Sequence, residues 1–161
     1  MAGVSNVRVL VVEDHIPFRR FIFSTLKKKR NLQIIGEVSD GLEAVQKAEQ
    51  LKPDLILLDV GLPTLNGFDV AREIRRRVRE SKIIFLTSEC DADLMQEAFT
   101  LGASGYVVKT MAGSDLLAAL EAVASGKQFA SSTLGGLHFN IDSAHAPDLP
   151  PSSRPKFELL M

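Results

Sequence analysis

Tryptophan is absent from the chain, and cysteine and tyrosine occur once each, as Cys90 and Tyr106. A lone cysteine cannot close an intramolecular disulfide, so no framework of bridges holds this chain, in keeping with a reducing cytoplasm. A surplus of either charge is also missing: 19 Lys and Arg face 20 Asp and Glu, a formal net charge of −1. That balance gives no electrostatic argument for nucleic acid or for an anionic membrane surface. Long apolar runs are lacking too. The run at residues 9–12 ends in two acids, far short of a membrane span or a signal peptide. The expectation is a cytoplasmic protein with no membrane association.

What is present is an ordinary globular composition, 45% hydrophobic and 24% charged over 161 residues, enough to bury a core. Short runs rich in branched residues occur at 7–12, 33–38, 55–58, 83–86 and 106–108. Several are apolar at consecutive positions, as strands buried on both faces of a parallel sheet must be. Between them lie stretches with helical spacing: Phe18, Phe21, Ile22, Thr25 and Leu26; then Leu42, Val45, Ala48 and Leu51; then Phe68, Ala71, Ile74 and Val78. Leu94, Met95, Ala98 and Leu101 mark a fourth helix, and Leu116, Leu120 and Val123 a fifth that Ser114 is placed to cap. Five strand–helix pairs in alternation predict an α/β fold, a five-stranded parallel doubly wound sheet with helices on both faces. From about Lys127 the character changes, and four of the seven prolines (Pro147, Pro150, Pro151, Pro155) fall in this last part. Residues 1–127 therefore read as one domain, and 128–161 as a linker or flexible proline-rich tail.

Folds of this kind place their sites beyond the carboxyl ends of the strands. Those ends carry Glu13 and Asp14, Asp59, Thr87 and Ser88, and Lys109. Converging carboxylates repel one another until a hard cation relieves them, and an oxygen set of this kind suits Mg²⁺. With a metal bound, a carboxylate can accept a phosphoryl group, helped by a lysine charge and a hydroxyl hydrogen bond. Each residue has a plainer reading: Asp14 as a helix cap, Asp59 as a strand end, Lys109 as a solvated cation, Thr87–Ser88 as a cap for the helix near Asp91. Their joint occurrence at four strand ends is what those readings leave unexplained. The basic runs at 27–30 and 72–79 fall late in predicted helices, where cations complement the helix dipole.

The stretches VLVVEDH (9–15), DLILLDVGLPTLNGFDVAREIR (54–75), IIFLTS (83–88) and GASGYVVK (102–109) resemble the receiver domains of two-component response regulators. The GYVVK ending is closest to the nitrate- and quorum-regulator (NarL/FixJ-type) subgroup. The resemblance implies a flavodoxin-like (βα)5 receiver fold with Asp59 as phosphoacceptor, supplied by a sensor histidine kinase or a phosphotransfer protein. It implies Mg²⁺ held by Glu13, Asp14, Asp59 and the backbone carbonyl of Gly61, with Thr87 and Lys109 on the phosphoryl oxygens. It also implies a switch in which Thr87 and Tyr106 move together, read by a downstream protein target or by homodimer formation. Pro63 and Gly67 match the turn after the phosphoacceptor, whereas Thr110 stands where many receivers have proline.

Receivers of that subgroup usually precede a helix-turn-helix domain, but after Phe129 no amphipathic pattern continues. Direct DNA binding by this chain is therefore not expected. Nor is turnover of external substrates: the chain would act only on its own Asp59. A phosphatase of the haloacid-dehalogenase type also uses a strand-end aspartate, Mg²⁺ and a lysine. It commonly carries a second aspartate two residues on, where this chain has Gly61. The other alternative is a receiver-like interaction module that works without phosphorylation.

Overall fold

The computed structural model describes residues 6–131. Five βα units follow one another: β1 (Val7–Val12), α1 (Ile16–Leu26), β2 (Leu32–Val38), α2 (Gly41–Leu51), β3 (Leu55–Asp59), α3 (Gly67–Arg77), β4 (Lys82–Thr87), α4 (Ala92–Thr100), β5 (Gly105–Val108) and α5 (Ala112–Ala124). A 3-10 turn over Lys109–Met111 joins β5 to α5, and a two-residue strand β6 (Phe129–Ala130) ends the sheet. All pairings are parallel, in the order β2-β1-β3-β4-β5-β6.

The consecutive apolar residues of the central strands divide between two cores. Leu10, Val12, Ile56 and Leu58 face Ala44, Val45, Phe68, Ala71, Ile74, Met95 and Ala98 of α2, α3 and α4. Their neighbours Val9, Val11, Leu55 and Leu57 face Ile22, Leu26, Leu116, Leu120 and Val123 of α1 and α5. Side chains alternate sides along a strand, so a run apolar at every position needs a helix layer on each face.

Helix starts follow local chemistry. The Asp40, Asn66 and Asp91 side chains accept backbone N–H groups in the first turns of α2, α3 and α4. The start of α5 departs from the sequence reading. Its N-cap is Met111, with no side-chain cap, and the Ser114 hydroxyl lies inside the first turn, donating to the Met111 carbonyl. The 3-10 turn already orders the backbone ahead of the helix, which moves its start two residues before Ser114. The basic residues 27–30 fall just past α1, which ends at Leu26, while Arg75, Arg76 and Arg77 do occupy the last turn of α3. Strand β6 lies in the segment expected to begin the linker. Two residues are too few to show a strand period. Residues 132–161 of the expected tail lie outside the described residues.

Candidate functional site

Strands β1, β3, β4 and β5 run parallel and in register, so their carboxyl ends meet at one rim. Val12 pairs with Leu58, Asp59 with Leu86, and Thr87 with Val108. The next residues along these strands are the polar ones. One carboxylate oxygen each from Glu13, Asp14 and Asp59 lies within 4.8 Å of the others. Glu13 is fully buried, Asp59 is 5% exposed and Asp14 is open to solvent. The plain reading of Asp14 as a helix cap does not hold: His15 is the N-cap of α1, and no side chain caps that helix.

Lys109 binds the cluster together. Its Nζ lies 3.0 Å from both oxygens of Glu13, donating to Oε2, and 3.4 Å from Asp59 Oδ1. The His15 backbone N–H also donates to Glu13 Oε2, and the Gly61 N–H donates to Asp59 Oδ1 at 3.0 Å. Glu13 Oε1 is buried and has the Lys109 ammonium as an ion-pair neighbour but no well-formed hydrogen bond. Burial pushes the Glu13 carboxyl up to about 7, and the charge of Asp59 adds to this, while the Lys109 bond pulls it back. A buried carboxylate oxygen with acceptor capacity to spare, beside two further carboxylates, is a ligand set that fits a hard divalent cation.

Thr87 is buried, and its Oγ1 accepts the Glu89 N–H at 3.0 Å, which leaves the hydroxyl proton free to be donated elsewhere. Tyr106 lies on β5, between β4 and β6. It is fully buried because β6 covers the outer side of β5. Burial pushes its phenol well above the usual range, although Thr87 lies near enough to oppose the shift, and the hydroxyl has no well-formed hydrogen bond.

Two glycines differ in what they do here. A Cβ on Gly67 would collide with the Asp59 carbonyl oxygen and lie 2.7 Å from Val60 Cα, so α3 can start this close to the end of β3 only with glycine. A Cβ on Gly61 would meet only Asp59 Oδ1, at 3.9 Å. Glu13, Asp14, Asp59 and Lys109, which the sequence puts at strand ends, meet at one rim, and the sequence reading missed Phe18. Its ring centroid lies 4.9 Å from Lys109 Nζ, a cation–π contact from the first turn of α1. Its place in an apolar helical stripe hides that role.

A family model described as the response regulator receiver domain matches residues 9–121. The transcriptional regulatory protein LiaR of Bacillus subtilis is 33% identical over 130 residues, 81% of this chain and 62% of that protein. The nitrate/nitrite response regulator protein NarL of Escherichia coli is 32% identical over 135 residues, 83% of this chain and 62% of that protein. Among solved structures, a two-component response regulator of the LuxR family from Aurantimonas superposes with a TM-score of 0.77 at 28% identity. That match covers 81% of this chain and 93% of that one. The chain belongs to the response regulator receiver family, and its relatives are regulators of the NarL and LiaR type. It spans about three-fifths of the length of these curated relatives. Phosphorylation and magnesium binding at an acidic pocket are typical of this family, whose members are signalling domains of two-component systems.

Proposed function

We propose that this chain accepts a phosphoryl group on Asp59 from the phosphohistidine of a sensor histidine kinase or phosphotransfer protein. Lys109 carries the reading, because it bridges the Glu13 and Asp59 carboxylates inside a cluster of three acids at the strand ends. Glu13, Asp14, Asp59 and the Gly61 carbonyl would hold Mg²⁺, which offsets the charge of the transferred oxygens.

The chain's own residues do the rest. The Gly61 N–H fixes one oxygen of Asp59, so the other can approach phosphorus in line with the bond to the departing imidazole. As the phosphorus–oxygen bond forms, the phosphorus–nitrogen bond breaks and its electron pair leaves with the imidazole. Lys109 then has a phosphoryl oxygen to pair with in place of Asp59, and Thr87 donates its hydroxyl to another. Movement of Thr87 changes the space beside the buried Tyr106 ring, which couples the site to β5 and the helices flanking it. That surface, read by a downstream protein or a second receiver, is the output. The chain would catalyse only its own phosphorylation and dephosphorylation. The proposed site of action is the cytoplasm, and among the described residues no helix is long and apolar enough to cross a membrane. The expectation that the chain does not itself bind DNA concerns residues beyond 131, outside those described.

The test is incubation with Mg²⁺ and a small-molecule phosphodonor, followed by analysis for an acid-stable, alkali-labile phosphoryl adduct. Wild type is expected to form one and Asp59→Asn to form none. No adduct on wild type, or an undiminished one on Asp59→Asn, rejects the reading.

A further inference from the structure

On the outer edge of β5, the backbone that carries Lys109 is held by the chain that follows α5. Strand β5 is only four residues long, and without a neighbour it would present unpaired peptide groups beside the switch residue Tyr106. Instead the Phe129 N–H donates to the Ser104 carbonyl and the Ser131 N–H to the Tyr106 carbonyl, both at 3.0 Å. The next group along this edge is the Val108 N–H. A continuing parallel ladder would offer it a backbone carbonyl. Here the Ser131 Oγ accepts it, at 3.0 Å.

Both partners are sealed from water: Val108 is 3% and Ser131 2% exposed. A buried N–H that loses its acceptor finds no substitute without a local shift of the backbone. The backbone at stake is the peptide immediately before Lys109, whose side chain must reach Glu13 at 3.0 Å and Asp59 at 3.4 Å. After Lys109 the chain turns at once into the 3-10 segment, so few residues can absorb a displacement. The Phe18 ring contacts the far end of the lysine, and Ser131 fixes its root.

We infer that Ser131 is a positioning residue for Lys109: its hydroxyl anchors the Val108 peptide and so sets where the lysine ammonium meets the phosphoacceptor. This rests on the roles proposed above for Asp59 and Lys109. It also makes the segment after α5 a working part of the receiver. By linkage, whatever moves Lys109 acts back on residue 131 and the chain attached to it.

The experiment uses the full chain and three variants, Ser131→Ala, Ser131→Thr and Leu32→Ala. The last lies on the opposite edge strand and controls for loss of stability alone. Three quantities are read: the phosphorylation rate at saturating Mg²⁺ and acetyl phosphate, the melting temperature, and hydrogen exchange of the Val108 amide by NMR. Ser131→Ala is expected to slow phosphorylation by about threefold or more and to speed Val108 exchange by about tenfold. Ser131→Thr, which keeps the acceptor, is expected near wild type in both, and Leu32→Ala to keep its rate whatever its melting point.

A wild-type rate in Ser131→Ala overturns the inference, as does a Ser131→Thr variant as slow as the alanine. So does equal slowing in Leu32→Ala at a matched loss of melting temperature. If Ser131→Ala does not fold, Ser131→Cys, a weaker acceptor of similar size, takes its place, and a wild-type rate there is equally fatal. Failure of the wild type to acquire any phosphoryl group sinks the phosphoacceptor reading instead, and Val108 exchange still reports on the anchor.

Discussion

Glu13 sits where burial and its neighbours disagree about its charge. With no exposed surface it favours the protonated form, the carboxylate of Asp59 pushes the same way, and Lys109 opposes both, leaving it at about 7. An unfolded glutamate has its ordinary value near 4.5, so the folded chain holds this proton more tightly. The stabilisation is fully present below that unfolded value and is lost as pH rises through about 7. In the presence of a chelator, wild type is expected to lose on the order of 2–3 kcal/mol from this group between pH 4.5 and 8. Glu13→Gln should flatten that part of the curve, measured by denaturant melts. An identical pH profile in the variant would show that Glu13 does not titrate as described. Phe18 makes a second residue-level case. Phe18→Leu keeps apolar bulk and removes the ring beneath Lys109 Nζ. Phosphorylation is expected to slow about two- to fivefold, the value of a partly buried cation–π contact. The acids and the lysine were legible in the sequence because each ends a strand. Phe18 was not, because an aromatic in a helical stripe reads as core.

At the scale of elements, the turn from β3 into α3 is the tightest piece of construction near the site. The Gly67 N–H bonds the Val60 carbonyl at 2.8 Å, and the Asn66 side chain caps the helix one residue earlier. Gly67→Ala forces a methyl group against the Asp59 carbonyl. A loss of roughly 2–4 kcal/mol is expected, with slower phosphorylation because the displaced residue is the proposed phosphoacceptor itself. Chemical denaturation and the adduct assay measure the two effects, and a variant as stable as wild type would refute the steric argument. The sequence marked Gly67 as a turn residue, but the reason lies in a contact between elements that spacing cannot show. Ser114 teaches the converse. Its cap role was a local inference, and the 3-10 turn over Lys109–Met111, set by the junction with the sheet, moved the start of α5 ahead of it.

For the whole molecule, a cation held between strand ends should couple metal binding to folding, because the unfolded chain does not bring Glu13, Asp14 and Asp59 together. Mg²⁺ at a hundred times its dissociation constant is expected to stabilise wild type by about 2.7 kcal/mol, seen as a raised melting temperature. Asp14→Asn, at the exposed member of the cluster, should abolish most of that gain, and a shift that survives the change would place the metal elsewhere. The alternation of strand and helix, the two-sided burial of the strands and the residues at the site rim were all determined by the sequence. These follow from side-chain period and from where apolar runs stop, and both are local. Tertiary structure alone decided how the rim residues are charged and held. The burial of Glu13, the bridge from Lys109 to two acids 96 and 50 residues away in sequence, the Phe18 contact and the anchoring of Val108 by Ser131 all join distant parts of the chain. Such contacts depend on which strands become neighbours, and no periodicity along one segment carries that information.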